Sequence, residues 1–401
     1  MKVISTAIVG DIHYPISKLD TILDQKLSAP ESLKDALGTT RLALVIRDII
    51  SEHARAPFDN ILFVGDFTNQ GDSAGFEDCL RYFSDALKHL SIPLVGVPGN
   101  HDQQTPQKFI DNDTKFDTFK TALRTGGNLI DISFDAFSEQ SKYYPAGNVG
   151  LYALNSCIGC RDLWDSPSKR QLADYLEANA VKVPSDQLYE YFDAPYIAES
   201  ALAELAECIQ RSKIALPIVL CHHGVLSQRV ARVAIFPEML NSGHARDLLS
   251  RIDQPVVLIH GHTHDDTLEV LANPKNYSQV GLVAISAPYA TTGYCRLRIP
   301  LNDSGHPIAV NVVQRALNNT AMTEKQPIII KLYDKAETKN LLPNNARTAL
   351  TAIESCATAK YIDLIADHGN QVIDYLDASG FAVIERTILN AESSWIVRPT
   401  R

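Results

Sequence analysis

No apolar run among the 401 residues is long enough to span a bilayer. The first run, residues 3–9, stops at Gly10 and Asp11, too short for a secretory signal and followed by no cleavage site. An excess of positive charge is also missing. The chain carries 37 Lys and Arg against 47 Asp and Glu, a net charge of -10, so broad attraction to nucleic acid or to an anionic membrane is not expected. The 7 cysteines are odd in number and scattered, and a chain this long needs no covalent staples, so reduced thiols are expected. Only Cys157 and Cys160 form a CxxC pair, and the neighbouring sequence holds neither a second pair nor histidines to complete a zinc site. These features describe a soluble, cytoplasmic protein with no membrane partner, large enough for an ample core.

What the chain does have is a set of polar clusters placed just after apolar runs. The central one is Gly99-Asn100-His101-Asp102, which follows the run 94–97 and Pro98. Four more follow the same logic: Asp11-Ile12-His13, Gly65-Asp66, His222-His223 and Gly261-His262-Thr263-His264. Polar residues at strand-to-loop junctions favour chemistry over packing.

Between the clusters the pattern alternates. Strands are expected at 3–9, 60–64, 94–97, 148–154, 214–220 and 256–259, and helices at 39–53, 75–90, 197–211 and 245–251. This is an α/β arrangement, in which ligands sit at the carboxyl ends of strands. Residues 111–125 read as helix or irregular loop. Runs at 281–285, 294–299 and 308–313 read as antiparallel strands closing a second sheet. The stretches 15–38 and 157–193 have weak periodicity and are expected to wall the substrate pocket. A polar stretch at 318–326 suggests a boundary, dividing the chain into a catalytic domain, 1–317, and a small C-terminal α/β module, 318–401. That module brings no ligand cluster and suits packing, homo-oligomerisation or partner contact.

Asp11, His13, Asp66, Asn100, His222, His262 and His264 supply two carboxylates, an amide oxygen and four imidazoles. One ion cannot use them all. Two adjacent ions can if a carboxylate bridges them, and Asp66 is the natural bridge; the donor set suits manganese, iron, zinc or cobalt. Such a pair clamps an oxyanion and generates a bridging hydroxide for in-line attack on phosphorus. His101 is then the candidate general acid for the leaving alkoxide, with Asp102 expected to orient its ring. His223 is left between supporting its neighbours and touching substrate.

The ordered series DxH, GD, GNHD, H and GHxH resembles the calcineurin-like metallophosphoesterase superfamily over about residues 1–315. The resemblance implies a sandwich of two mixed β-sheets flanked by helices. It implies Asp11, His13, Asp66 and His264 on one metal, with Asp66, Asn100, His222 and His262 on the other, and places the catalytic histidine at His101. After the double histidine, where cyclic-nucleotide and glycerophosphodiester enzymes of this family often carry proline, this chain has Gly224. The expected activity is dimetal-dependent hydrolysis of a small phosphate ester, foremost a phosphodiester. A nuclease would need basic or aromatic surface beside the site, for which Arg161, Lys169, Arg170, Arg229 and Arg232 are sparse candidates. A scaffold that had lost hydrolysis would be expected to have lost ligands, and here every position is retained.

Overall fold

The computed structural model describes residues 1–14, 31–69, 71–103, 114–125, 129–139, 148–160, 178, 195–225, 238–264, 268–333, 335–356, 358–385 and 395–400. Most of the expected pocket walls, and all five basic candidates for a nucleic-acid surface, lie outside the described residues.

Two sheets form the body of the protein. The first holds β1 (Lys2–Val9), β2 (Asn60–Phe63), β3 (Leu94–Gly96) and β4 (Ile130–Ile132), side by side and parallel. The second holds β5 (Phe137–Glu139), β6 (Val149–Leu154), β7 (Leu216–Leu220), β8 (Val256–His260), β9 (Leu268–Asn273) and β10 (Asn276–Ser286), in the order β5-β6-β7-β8-β10-β9. β6, β7, β8 and β10 are parallel. The chain then returns to the first sheet through β11 (Gly293–Leu301), β12 (Ala309–Asn318), β13 (Ala321–Glu324) and β14 (Ile328–Lys331). β11 runs antiparallel to β1, from Lys2 opposite Leu301 to Ile8 opposite Cys295.

Alternation along β1 explains its place. Ile4 and Ile8 face the inter-sheet core with Val257, Ile259, Leu297 and Ile299, whereas Ala7 and Val9 face the helical layer on the other side. That layer is α1 (Glu31–Arg55), α2 (Ser73–Leu87) and α3 (Asp117–Thr125). Leu42, Val45, Ile46 and Ile49 of α1 recur at helical spacing and pack with Phe76, Cys79, Leu80 and Phe83 of α2 in the same cluster. α2 starts where the Asp72 carboxylate accepts the Ala74 N–H at 3.1 Å. α4 (Glu199–Ser212) and α5 (Ser242–Ser250) cover the outer face of the second sheet through Leu202, Leu205, Ile209, Ala245 and Leu249. The result is the expected two-sheet sandwich flanked by helices.

One expectation needs correction. The runs near 281–313 do not close one sheet: β10 lies in the second, parallel to β8, while β11 and β12 extend the first. Apolar periodicity reports burial and not the partner strand, so it cannot distinguish these cases. β13 and β14 both pair with β12, which completes the first sheet. A separate antiparallel sheet follows, with β15 (Ala359–Lys360), β16 (Ala382–Glu385) and β17 (Ile396–Pro399) in the order β15-β17-β16. With it come α6 (Lys335–Leu341), α7 (Asn344–Cys356), α8 (Tyr361–His368) and α9 (Asn370–Ala378). Ile308 packs with Leu350, Ile373 and Leu376, and Arg298 pairs with Asp377 at 2.9 Å, so this module docks on the first sheet. No helix among the described residues is long and apolar enough to cross a membrane.

Candidate active site

The parallel strands of both sheets deliver their carboxyl ends to one place. Asp11 and His13 follow β1, Asp66 follows β2, Asn100 and His101 follow β3, His222 and His223 follow β7, and His262 and His264 follow β8. His222 sits at the middle. Its Nε2 is 2.9 Å from Asn100 Oδ1 and 3.3 Å from Asp66 Oδ2, and its Nδ1 is 2.7 Å from the Val64 carbonyl oxygen and 3.5 Å from Asp11 Oδ1. His13 Nε2 lies 3.6 Å from Asp66 Oδ2, and His264 Nε2 lies 3.5 Å from Asp11 Oδ2. The His262 ring is 5.3 Å from that of His222, and the His101 ring is 4.7 Å from that of His13. The seven expected ligand residues therefore converge, and His101 joins His13 and Asp66 in a group tight enough to surround an ion.

The backbone is bent to achieve this. His13, Asp66, His262 and His264 have φ of 51°, 51°, 62° and 53°. Left-handed conformations are uncommon outside glycine and cluster at functional sites. Gly65 has φ 100°, and a Cβ there would lie 2.6 Å from the Gly99 nitrogen, while a Cβ on Gly99 would lie 2.0 Å from Asp66 Oδ1. Four backbone N–H groups hold the bends. The Asp66 carbonyl oxygen accepts the N–H groups of Ile12 and His13, at 2.9 and 2.8 Å. The Asp66 carboxylate accepts the His101 N–H at 2.8 Å, and the Asp11 carboxylate accepts the His262 N–H at 3.0 Å. The two oxygens of Asp102 accept from the N–H groups of Phe67, Thr68 and Gly99, at 3.1, 2.9 and 2.9 Å. It clamps the GNHD loop to the GD loop.

Charge at the site is concentrated and buried. Burial, with the neighbouring Asp66 charge, lifts the Asp11 carboxyl to about 6 against the pull of His222 and His13. For Asp66, burial acts upward but the imidazoles of His222, His101 and His13 outweigh it and hold the carboxyl well below its usual range. Burial opposes charge on His222, yet the Asp66 and Asp11 carboxylates lift it to about 10. Burial and the Asp66 charge lift Asp102 to about 7 despite its amide bonds.

Other side chains surround the cluster. Tyr289 stacks on His13 at 5.5 Å and meets His264 edge-on at 4.8 Å. It follows β10, whose end faces the site because β10 is parallel to β8, so the strand-end rule would have found it had that pairing been known. Asn155 caps its own turn by accepting the Cys157 N–H at 3.0 Å, and Ser156 Oγ stands 2.9 Å from His223 Nδ1. His260 is buried beside Gly224, where a Cβ would lie 2.9 Å from its ring; this occupied space accounts for glycine after the double histidine. His244 is exposed on α5, away from these contacts.

The donors fit divalent ions. With its Nδ1–H given to the Val64 carbonyl, a neutral His222 turns the Nε2 lone pair on two oxygen acceptors, an arrangement that only a proton or a cation resolves. Two buried carboxylates, an amide oxygen and several imidazoles are the mixed oxygen and nitrogen set that borderline first-row ions take.

A protein of Rhodococcus erythropolis (strain PR4 / NBRC 100887) described as a probable cyclic nucleotide phosphodiesterase is 26% identical over 211 residues, 52% of this chain, and the match spans 62% of that relative's length. A 5'-nucleotidase precursor from Thermus thermophilus superposes with TM-score 0.41 at 12% identity, over 88% of this chain and 60% of the other. A Staphylococcus aureus protein described as a putative 5'-nucleotidase gives TM-score 0.46 at 13% identity, over 83% of this chain and 55% of the other. The profile of the calcineurin-like phosphoesterases matches residues 4–266, the segment that carries all five clusters, and the chain belongs to that family.

Proposed function

We propose that this protein hydrolyses a phosphodiester bond in a small substrate, with a pair of divalent ions held around Asp66. The observation that carries the reading is the convergence of side chains from five strand ends on Asp66 and His222. Asp11, His13, Asp66 and His264 would hold one ion, and Asp66, Asn100, His222 and His262 the other. Manganese, iron, zinc or cobalt suits this set. When bound, such ions supply Lewis acidity toward phosphoryl oxygens and hydroxide near neutral pH.

The residues of the chain do the rest. His101 is half-buried at the open side of the cluster, with its backbone N–H anchored on Asp66. Its ring donates the proton that a departing alkoxide needs. Asp102 holds that loop in register, and Tyr289 restricts the rings of His13 and His264. The relative described as a cyclic nucleotide phosphodiesterase supports a diester over a monoester.

Turnover of bis(p-nitrophenyl) phosphate beside p-nitrophenyl phosphate, with manganese and after chelation, tests the proposal. Diester hydrolysis that chelation abolishes and metal restores is expected. Faster monoester hydrolysis would make it a phosphatase, and no turnover of either with the ions bound would refute the reading. A panel of cyclic nucleotides, glycerophosphodiesters, nucleotide pyrophosphates and short oligonucleotides then identifies the substrate.

A further inference from the structure

Beside the proposed ion pair lies a second cluster of ligating side chains, of different chemistry. Cys157-Ile158-Gly159-Cys160 forms a turn just after β6, closed by the Cys160 N–H donating to the Cys157 carbonyl at 3.1 Å. Both thiols are buried, and His223, which follows β7 in the same sheet, brings its ring to them. We propose that Cys157 Sγ, Cys160 Sγ and His223 bind a single thiophilic divalent cation, zinc by its chemistry, at a site separate from the set around Asp66.

The geometry suits that ion. Zinc takes sulfur at about 2.3 Å and imidazole nitrogen at about 2.0 Å, which puts tetrahedral ligand atoms roughly 3.5–4 Å apart. Cys157 Sγ is 3.8 Å from His223 Nδ1, and one atom from each of the three residues falls within 4.8 Å of the others. Ser156 Oγ, 2.9 Å from the same nitrogen, brings an oxygen to the fourth side. His223 is fully buried.

The surroundings hold the turn ready. The Lys115 ammonium, itself buried, donates to the carbonyls of Cys160, at 3.0 Å, and Ile158, and so fixes the backbone of the turn. Cys157 Sγ also donates to the Pro98 carbonyl at 3.6 Å, next to Gly99. Binding replaces both S–H protons: the dication and two thiols give a dithiolate complex and two protons. Two sulfurs select a softer ion than the oxygen-rich set, so neighbouring sites can hold different metals. The ion ties the end of β6 to the His222-His223 turn and so braces His222.

Cobalt substitution of the full chain tests this without reference to activity. Thiolate ligation produces a near-ultraviolet sulfur-to-cobalt charge-transfer band, which oxygen and nitrogen ligands do not. The band is expected in the wild type, absent from Cys157→Ser/Cys160→Ser, and retained in Asp66→Ala, and the double serine variant should hold about one zinc equivalent fewer. A cobalt-loaded wild type without the band overturns the proposal even if the variants fail to fold. So does a band that survives the serine substitutions, or mass analysis showing the two cysteines joined as a disulfide in the metal-loaded protein. Failure of phosphoester hydrolysis leaves this spectrum unaffected, so the two readings fail separately.

Discussion

His101 touches the proposed ligand set in two ways that separate its function from theirs. Its main chain is bonded to the Asp66 carboxylate, while its ring stands 4.7 Å from that of His13 at the partly exposed edge. His101→Ala keeps the backbone bond and removes only the ring. It is expected to retain both ions and to lose on the order of 10²-fold or more in turnover on esters with poor leaving groups, with a smaller loss on nitrophenyl esters. Equal losses on the two substrate kinds would argue that the ring binds metal instead. Asp66→Ala acts differently, since His13, His101 and His222 all lean on that carboxylate. Metal analysis should show less than half the wild-type content around this set, and retention of both ions would exclude bridging. These residue types were legible before any coordinates because side chains of fixed chemistry recur after apolar runs. The amide contacts of Asp102 were not, because a carboxylate beside a histidine in sequence gives no sign that it also meets three backbone amides.

Between elements, the tightest constraint is where the turn after β2 meets the turn after β3. Gly65 and Gly99 face each other with no room for a methyl group on either, and Asp66 fills the gap. Gly99→Ala would drive its Cβ to 2.0 Å from Asp66 Oδ1, so either the carboxylate rotates or the GNHD loop lifts. A stability loss of about 2–4 kcal/mol is expected in urea unfolding, together with reduced metal content; an unaffected midpoint would mean that the loop yields freely. Both glycines stand in clusters that the sequence displays, GD and GNHD. Which two turns approach each other follows from parallel pairing of β2 with β3, a relation between segments about thirty residues apart.

At the scale of the molecule, an ionic network fastens α1 to the edge of the first sheet. Glu52 Oε2 lies 2.7 Å from both Arg55 and Arg296, Asp48 pairs with Arg315 at 2.7 Å, and Arg296 and Arg315 both reach Glu324. Burial acts to raise the Glu52 carboxyl, but Arg315, Arg55 and Arg296 outweigh it and hold it below 4.5. A carboxyl depressed in the folded state stabilises the protein above its unfolded value and loses that contribution as pH falls through the folded one. Glu52→Ala, which leaves Arg296 with Glu324 alone and Arg315 with Asp48 and Glu324, is expected to cost about 1.5–3 kcal/mol at neutral pH. Urea midpoints should show the difference from wild type shrinking below pH 4.5. A difference that stayed constant to lower pH would assign the cost to packing. The same scale separates two kinds of information. Strand and helix periods, the five clusters and their ligand chemistry are local properties, written in residue type and spacing, and a reader of the bare chain recovers them. The return of β11–β14 to the first sheet, the docking of the last helices on it, the aim of Tyr289 and the meeting of Cys157 and Cys160 with His223 are contacts between distant segments. Apolar alternation says that a face is buried without saying against what, so these pairings arise only when whole layers compete to cover one another.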